Sequence, residues 1–318
     1  MYTPLSITIS CAIGILAFLS ISLNFTVIGV IKHGGFASKQ RGNPIYIIAL
    51  ANMLGDVFQL CLILGYIVPS TFVQDFIYNK ETVVKFLSFL FISQWYQSCF
   101  LSILTSVSRF VIFLKPQFAS LFSRNRLLVK VILIYPLGWA LGAAGVYLTP
   151  CCTLYMFYGT YGYAYLDEND FNYTGNLIDF PLNLTMSTCS IIAYSAIFVH
   201  LHRSTKVVQS GQQKPTGSKK KEIAYAVQCA ILSSFSLLTW STFRVFPMVV
   251  PHELLPAFST ITFLHIFHCS ANAIVYFFIN KEIGGYARTF VRSGVHMDTL
   301  RLSTARSSQA HQQSSARF

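Results

Sequence analysis

Charge is what this chain has least of. Only 11% of its 318 residues are Asp, Glu, Lys or Arg, where a soluble domain carries about 25%. With a mean hydropathy of +0.54, that shortage excludes an ordinary soluble domain and points to a membrane protein. Acidic residues are scarcer still, 11 against 23 basic ones, giving a net charge of +12. Such a charge could suit nucleic acid, but Lys and Arg fall in loops between apolar runs, so no nucleic-acid partner is expected. There is no Gly-rich phosphate loop, no Cys-x-x-Cys pair and no nucleophile–base spacing. No internal repeat is visible, which weighs against a transporter built from duplicated halves. The 8 cysteines make no disulfide framework: all but the adjacent Cys151 and Cys152 lie inside apolar runs. No basic residue precedes the first run, which is long enough to span a bilayer, so no cleavable signal peptide is expected.

Long apolar runs are what the chain has. A bilayer core needs roughly 20 apolar residues as helix, and seven runs qualify: 7–31, 45–68, 83–114, 127–148, 179–200, 223–250 and 255–279. They lack the period-2 alternation of a membrane barrel, so the expected fold is an all-α bundle of seven spanning helices. The first, third and fifth loops and the tail carry nearly all the Lys and Arg. The alternate loops carry Asp75, Glu81, Asp167, Glu168, Asp170 and Glu253, with Lys80 and Lys85 the basic exceptions. The positive-inside rule then puts the N-terminus outside and the tail inside. The sequon Asn172-Tyr173-Thr174 lies in a predicted outer loop and marks Asn172 as a glycosylation candidate. Residues 209–221 read as a polar linker, and 293–318 as a disordered cytoplasmic tail.

The third run is organised round a polar stripe. Gln94, Gln97, Ser98, Ser102, Thr105, Ser108 and Arg109 recur at helical spacing, so they share one face. Arg109 ends the stripe just before Lys115-Pro116, and an arginine there needs a partner or the interface. The second run carries Asn52, Asp56 and Gln59 on one face; the seventh carries His265, His268, Asn272 and Tyr276; the first offers Ser20 and Asn24. Asp56 is the strongest switch or ion candidate, because an ionisable group in mid-membrane needs a reason. Trp240 and Arg244 share a face of the sixth run. A guanidinium facing an outer cavity would suit an anionic or hydrogen-bond-accepting ligand; otherwise it snorkels to the interface. His265 and His268 have metal-ligand spacing, but a zinc hydrolase would need a third ligand. No metal site and no cofactor are expected.

Seven helices, Arg109 closing the third and a basic loop before the sixth resemble a G-protein-coupled receptor. Asn24 resembles its helix 1 asparagine and Asp56 its helix 2 aspartate, with Asn52 an alternative. Ser108-Arg109-Phe110 resembles Asp-Arg-Tyr, and 272–276 resembles Asn-Pro-x-x-Tyr without the proline. Residues 281–291 would form the short surface helix. More specifically, the chain resembles the nematode serpentine chemoreceptors, most closely class x (Srx). The residues that carry this are Ser108-Arg109-Phe110 with Lys115-Pro116, Ile178-Asp179-Phe180, Lys221-Glu222-Ile223 with Gln228, His268 four before Asn272, and 278–283. Val84 stands where the usual helix 3 cysteine would be, leaving Cys151 and Cys152 without an obvious partner. The sixth helix has Pro247 rather than a proline two after Trp240.

The resemblance implies a multi-pass plasma-membrane receptor, in a sensory neuron, that couples a small odorant- or pheromone-like ligand to a heterotrimeric G protein. The expected ligand residues are Gln94, Trp95, Trp240, Arg244 and His265. The expected switch and coupling residues are Asp56, Arg109, Glu222, Asn272 and Tyr276, with 115–126 and 203–222 at the transducing face. Arg109 and Glu222 are expected to pair and hold the third and sixth helices together. Ser303, Thr304, Ser307 and Ser308, each near an arginine, are kinase candidates. The alternatives are an intramembrane metal-dependent hydrolase on His265 and His268, or a small-molecule transporter.

Overall fold

The computed structural model describes residues 4–38, 43–151, 153–166, 171–209 and 217–292. At 201, 204–209, 217–222, 252–253 and 287–292 it describes the backbone alone. Among these residues seven helices are long and apolar enough to cross a membrane: α1 (Pro4–His33), α2 (Ile45–Val73), α3 (Lys80–Leu114), α4 (Arg124–Leu148), α5 (Thr174–His200), α6 (Ile223–Val249) and α7 (Leu254–Ile279). Helix is the form such runs must take, because lipid offers backbone N–H and C=O groups no partner. A short α8 (Lys281–Arg292) follows. The expected tail, 293–318, lies outside the described residues.

Local chemistry sets the helix ends and irregularities. α3 stops at Lys115 (φ −137°) because Pro116 disfavours the helical region for the residue before it. In α2 a π turn, Ile63–Ile67, widens the helix just before Pro69, whose ring would otherwise clash one turn back. Between α7 and α8 the Asn280 side chain accepts from the backbone N–H groups of Glu282 and Ile283, each at 3.1 Å, which caps the new helix.

α3 runs through the bundle against α4 and α5, while α1 packs on α2 and α7. The α3–α4 contact is close because Gly138 and Gly142 stand one turn apart on α4. A Cβ at Gly138 would strike Gln97, and one at Gly142 would strike Ser93. Small residues at this spacing let membrane helices approach backbone to backbone. Large apolar side chains such as Phe18, Leu133, Phe198 and Phe278 point outward, where lipid would cover them.

One element departs from the all-α expectation. The loop between α4 and α5 folds into a hairpin of β1 (Leu154–Phe157) and β2 (Gly162–Tyr165), paired antiparallel. It is tucked into the mouth of the bundle, with Leu154, Tyr155 and Met156 buried. The Met156 N–H donates to Ser88 Oγ of α3 at 2.9 Å, and Thr262 Oγ1 of α7 donates to the Tyr161 carbonyl at 2.8 Å. Cys151, just before the hairpin, is disulfide-bonded, whereas Cys11, Cys61, Cys99, Cys189, Cys229 and Cys269 are free.

Candidate functional site

Three polar levels are stacked along the axis of the bundle. The outermost is an aromatic chamber under the hairpin. Phe91 and Trp95 of α3, Trp240 and Phe243 of α6, and Tyr163 of β2 enclose about 20 Å³, room for about one water. Asp179 of α5 completes the lining. Its carboxylate is buried and accepts from Asn183 Nδ2 at 2.9 Å and Trp240 Nε1 at 3.4 Å. Tyr163 and Phe243, with ring centroids 5.1 Å apart, also line a vestibule of about 610 Å³ above the chamber. The vestibule holds Arg244, whose Nη2 donates to Asn176 Oδ1 at 3.3 Å while its guanidinium lies 5.7 Å from the Phe180 ring centroid.

The structure sorts the five expected ligand residues. Trp95 and Trp240 line the chamber, and Arg244 lines the vestibule. Gln94 turns away to α2, where its amide occupies the space that a Cβ on Gly55 would need. His265 is fully buried behind the chamber wall: its Nδ1 lies 3.4 Å from the Tyr163 hydroxyl and its ring packs on Phe91 and Trp95. Burial pushes the Tyr163 phenol up from its ordinary pKa, so the hydroxyl stays neutral. Gln94 and His265 therefore belong to the packing around the cavity and line neither space. Asp179, part of the Ile178-Asp179-Phe180 family motif and given no role by it, lines the chamber. An acidic residue opening an apolar run, with Asn183 one turn on, was the available signal.

The middle level joins α2 to α7. Asn272 Nδ2 donates to Asp56 Oδ2 at 2.9 Å, with both residues buried. Asn24 donates from α1 to the Cys269 carbonyl at 3.0 Å. A polar cavity of about 30 Å³ lies alongside, lined by Asn52, Ser98, Ser102, His268 and Asn272 among others.

The inner level centres on Arg109, which is only 2% exposed. Its guanidinium lies 5.6 Å from the ring centroid of Tyr225 on α6. The Tyr225 hydroxyl donates to Glu282 at 3.1 Å and stands 3.1 Å from that of Tyr46. Tyr276 packs on the same Tyr46 ring, with centroids 6.0 Å apart. The expected Arg109–Glu222 pair falls outside the described side chains, because Glu222 lies where only the backbone is described. The acid tied into this level is Glu282, at the start of α8.

The family model described as serpentine type 7TM GPCR chemoreceptor Srx matches residues 13–280. This chain belongs to the Srx chemoreceptor family. It is a multi-pass membrane protein with the G-protein-coupled-receptor fold. Among solved structures it is similar to the one titled "Crystal structure of squid rhodopsin", at a TM-score of 0.72 over 94% of this chain and 90% of that chain. At 15% identity that likeness shows the fold alone. No curated protein matches the chain.

Within this Srx receptor, the histidine pair makes a poor metal centre. The rings of His265 and His268 are 6.1 Å apart by centroid. Among the described residues no group of three or more His, Cys, Asp or Glu is placed to hold a metal ion. His268 instead packs edge-on against Trp95, at 5.5 Å, and carries the wall of the outer chamber down to the middle level.

Proposed function

We propose that this chemoreceptor takes a small odorant- or pheromone-like molecule at the outer chamber and vestibule, and passes the signal to a heterotrimeric G protein at its inner end. What supports the reading is the vertical continuity of the three levels. Trp95 and Trp240 meet the chamber, His268 links Trp95 to the middle cavity, Asn272 ties Asp56, and Tyr276 reaches the cluster beside Arg109. A ligand that repacks Trp240 would press on α6, the helix that also carries Tyr225 over Arg109. Packed interiors respond by switching between arrangements rather than by deforming smoothly.

In this reading Asp56, Arg109, Asn272 and Tyr276 are switch residues, and Glu222 with loops 115–126 and 203–222 meets the G protein. The receptor works at the plasma membrane of a sensory neuron, without a cofactor and without catalysis. Ser303, Thr304, Ser307 and Ser308 are phosphorylated for desensitisation. The deciding experiment is nucleotide exchange on purified G proteins with the receptor in lipid vesicles, across a panel of small metabolites. Exchange accelerated by at least one compound, and abolished by Arg109→Ala, is expected. Uptake of a compound into the vesicles with no exchange would make the protein a transporter.

A further inference from the structure

The outer site holds two opposite charges at two depths, and among the described residues neither has an ionic partner in contact. Asp179 lies in the chamber, its carboxylate met by two neutral N–H donors, one of them at 3.4 Å. Arg244 lies in the vestibule above, held by an amide oxygen at 3.3 Å and a ring face. Contacts of 3.3 and 3.4 Å are at the long, weak end of the hydrogen-bond range. An ionic guest would bring a full opposite charge to either group, which the indole N–H and the amide oxygen do not. The two groups attract each other through space.

Size adds a second constraint. The chamber of about 20 Å³ admits one water-sized group. An ammonium head is such a group, and a carboxylate is larger. The walls suit a cation too: Phe91, Trp95, Trp240 and Phe243 present aromatic rings, whose faces attract positive charge. The vestibule of about 610 Å³ has room for the rest of a small molecule. The Tyr163–Phe243 ring pair lines both spaces.

We infer that the ligand is a small zwitterion, bound with its ammonium inward on Asp179 and its carboxylate outward on Arg244. This rests on the reading that the outer cavity is the ligand site. It reverses the simpler expectation from Arg244 alone, which favours an anion: the guanidinium takes the rim end of the ligand, and the deep end is set by Asp179. An ammonium on Asp179 also competes with Trp240 Nε1, one of the contacts that tie α5 to α6, so occupancy loosens that tie.

The test uses purified full-length receptor and straight-chain ω-amino acids of increasing length, with the matched n-alkylamines, carboxylates and alcohols. Binding is read as the shift in thermal unfolding midpoint with probe concentration. In wild type, an amino acid of the best length should bind at least about tenfold tighter than its amine, and the amine tighter than the carboxylate or alcohol. Asp179→Asn should remove the advantage of the amine, and Arg244→Gln that of the added carboxylate. The wild-type ranking needs no variant, so it stands even if a substitution impairs folding. Equal affinity for alcohol and amino acid, tighter binding of the plain carboxylate, or no shift with any probe would overturn the inference. Ranked binding that leaves G-protein exchange unchanged would uphold the zwitterion and count against the coupling reading instead.

Discussion

Arg109 lies face-on to Tyr225, its guanidinium carbon 5.6 Å from the ring centroid, and the hydroxyl of that ring donates to Glu282 at 3.1 Å. One aromatic side chain on α6 thus stands between a cation on α3 and an anion at the start of α8. A cation–π contact contributes about 0.5–1 kcal/mol when exposed and about 2 kcal/mol or more when desolvated. About 1.4 kcal/mol shifts a two-state equilibrium roughly tenfold. Tyr225→Ala removes both halves of the link and should raise ligand-independent nucleotide exchange about fivefold or more. Tyr225→Phe keeps the ring and should raise it less. Basal exchange equal to wild type in Tyr225→Ala, at matched surface expression, would show that the ring holds no inactive state.

Asp56 and Asn272 make a second separable link. Deleting one partner of a buried hydrogen bond leaves the other unsatisfied, at about 1–3 kcal/mol, and more for an ionised group. Asn272→Ala should therefore lower the thermal midpoint clearly. Asp56→Asn keeps the shape and an acceptor oxygen while removing an ionisable group from mid-membrane, so it should lower the midpoint less or raise it. The reverse order would mean that the Asp56 carboxylate, rather than the Asn272 amide, carries the stability of this level.

The spanning helices were legible because each run had to satisfy its own backbone in lipid, and the charge asymmetry oriented them. Periodicity placed Gln94 and Gln97 on a face of α3 but could not say which neighbour that face meets. The glycines answer that, since Gly55 and Gly138 leave the space those amides fill. The hairpin lies in a segment whose position between two spanning runs reads as an outer loop, although aromatic residues around Gly159 and Gly162 carry a strand–turn signal. Glu222 and Glu282 both sit near the inner ends of helices. That Glu282 turns back towards Tyr46 and Tyr225 depends on the Asn280 cap, which no spacing rule conveys.

Asn172 is a helix-cap acceptor and a glycosylation candidate, and one pair of variants separates the two. Its Oδ1 accepts from the Gly175 N–H at 2.7 Å, the geometry of a helix N-cap, and it opens the sequon on the hairpin side of α5. Asn172→Asp keeps the acceptor and should lose the glycan with little loss of stability. Asn172→Ala should lose the glycan and about 1 kcal/mol. The glycan is checked by mobility after glycosidase treatment. An unchanged glycosidase shift in Asn172→Asp would place the glycan elsewhere.

The α3–α4 contact gives the sharpest stability prediction. Adding a methyl group to a helical glycine normally stabilises by about 0.5–1 kcal/mol, through lost chain entropy in the unfolded state. Gly29, inside α1, has nothing within 4 Å of the position a Cβ would take, so Gly29→Ala should show that gain. At Gly142 the same methyl meets the Ser93 side chain and, at 3.0 Å, the Ser93 Cα. The side chain can move; the Cα moves only with the helix. Overpacking of that kind costs about 1–3 kcal/mol, which exceeds the gain, so Gly142→Ala should lower the thermal midpoint although its local helix propensity improves. Ser93→Gly in the same chain removes the side-chain part of the clash and leaves the backbone part, so the double variant should recover some of the loss but not all. Residues in contact couple in this way, whereas distant ones add. A Gly142→Ala midpoint at or above that of wild type would mean that α3 and α4 separate freely, and that their close approach contributes little to holding the polar stripe of α3 in place.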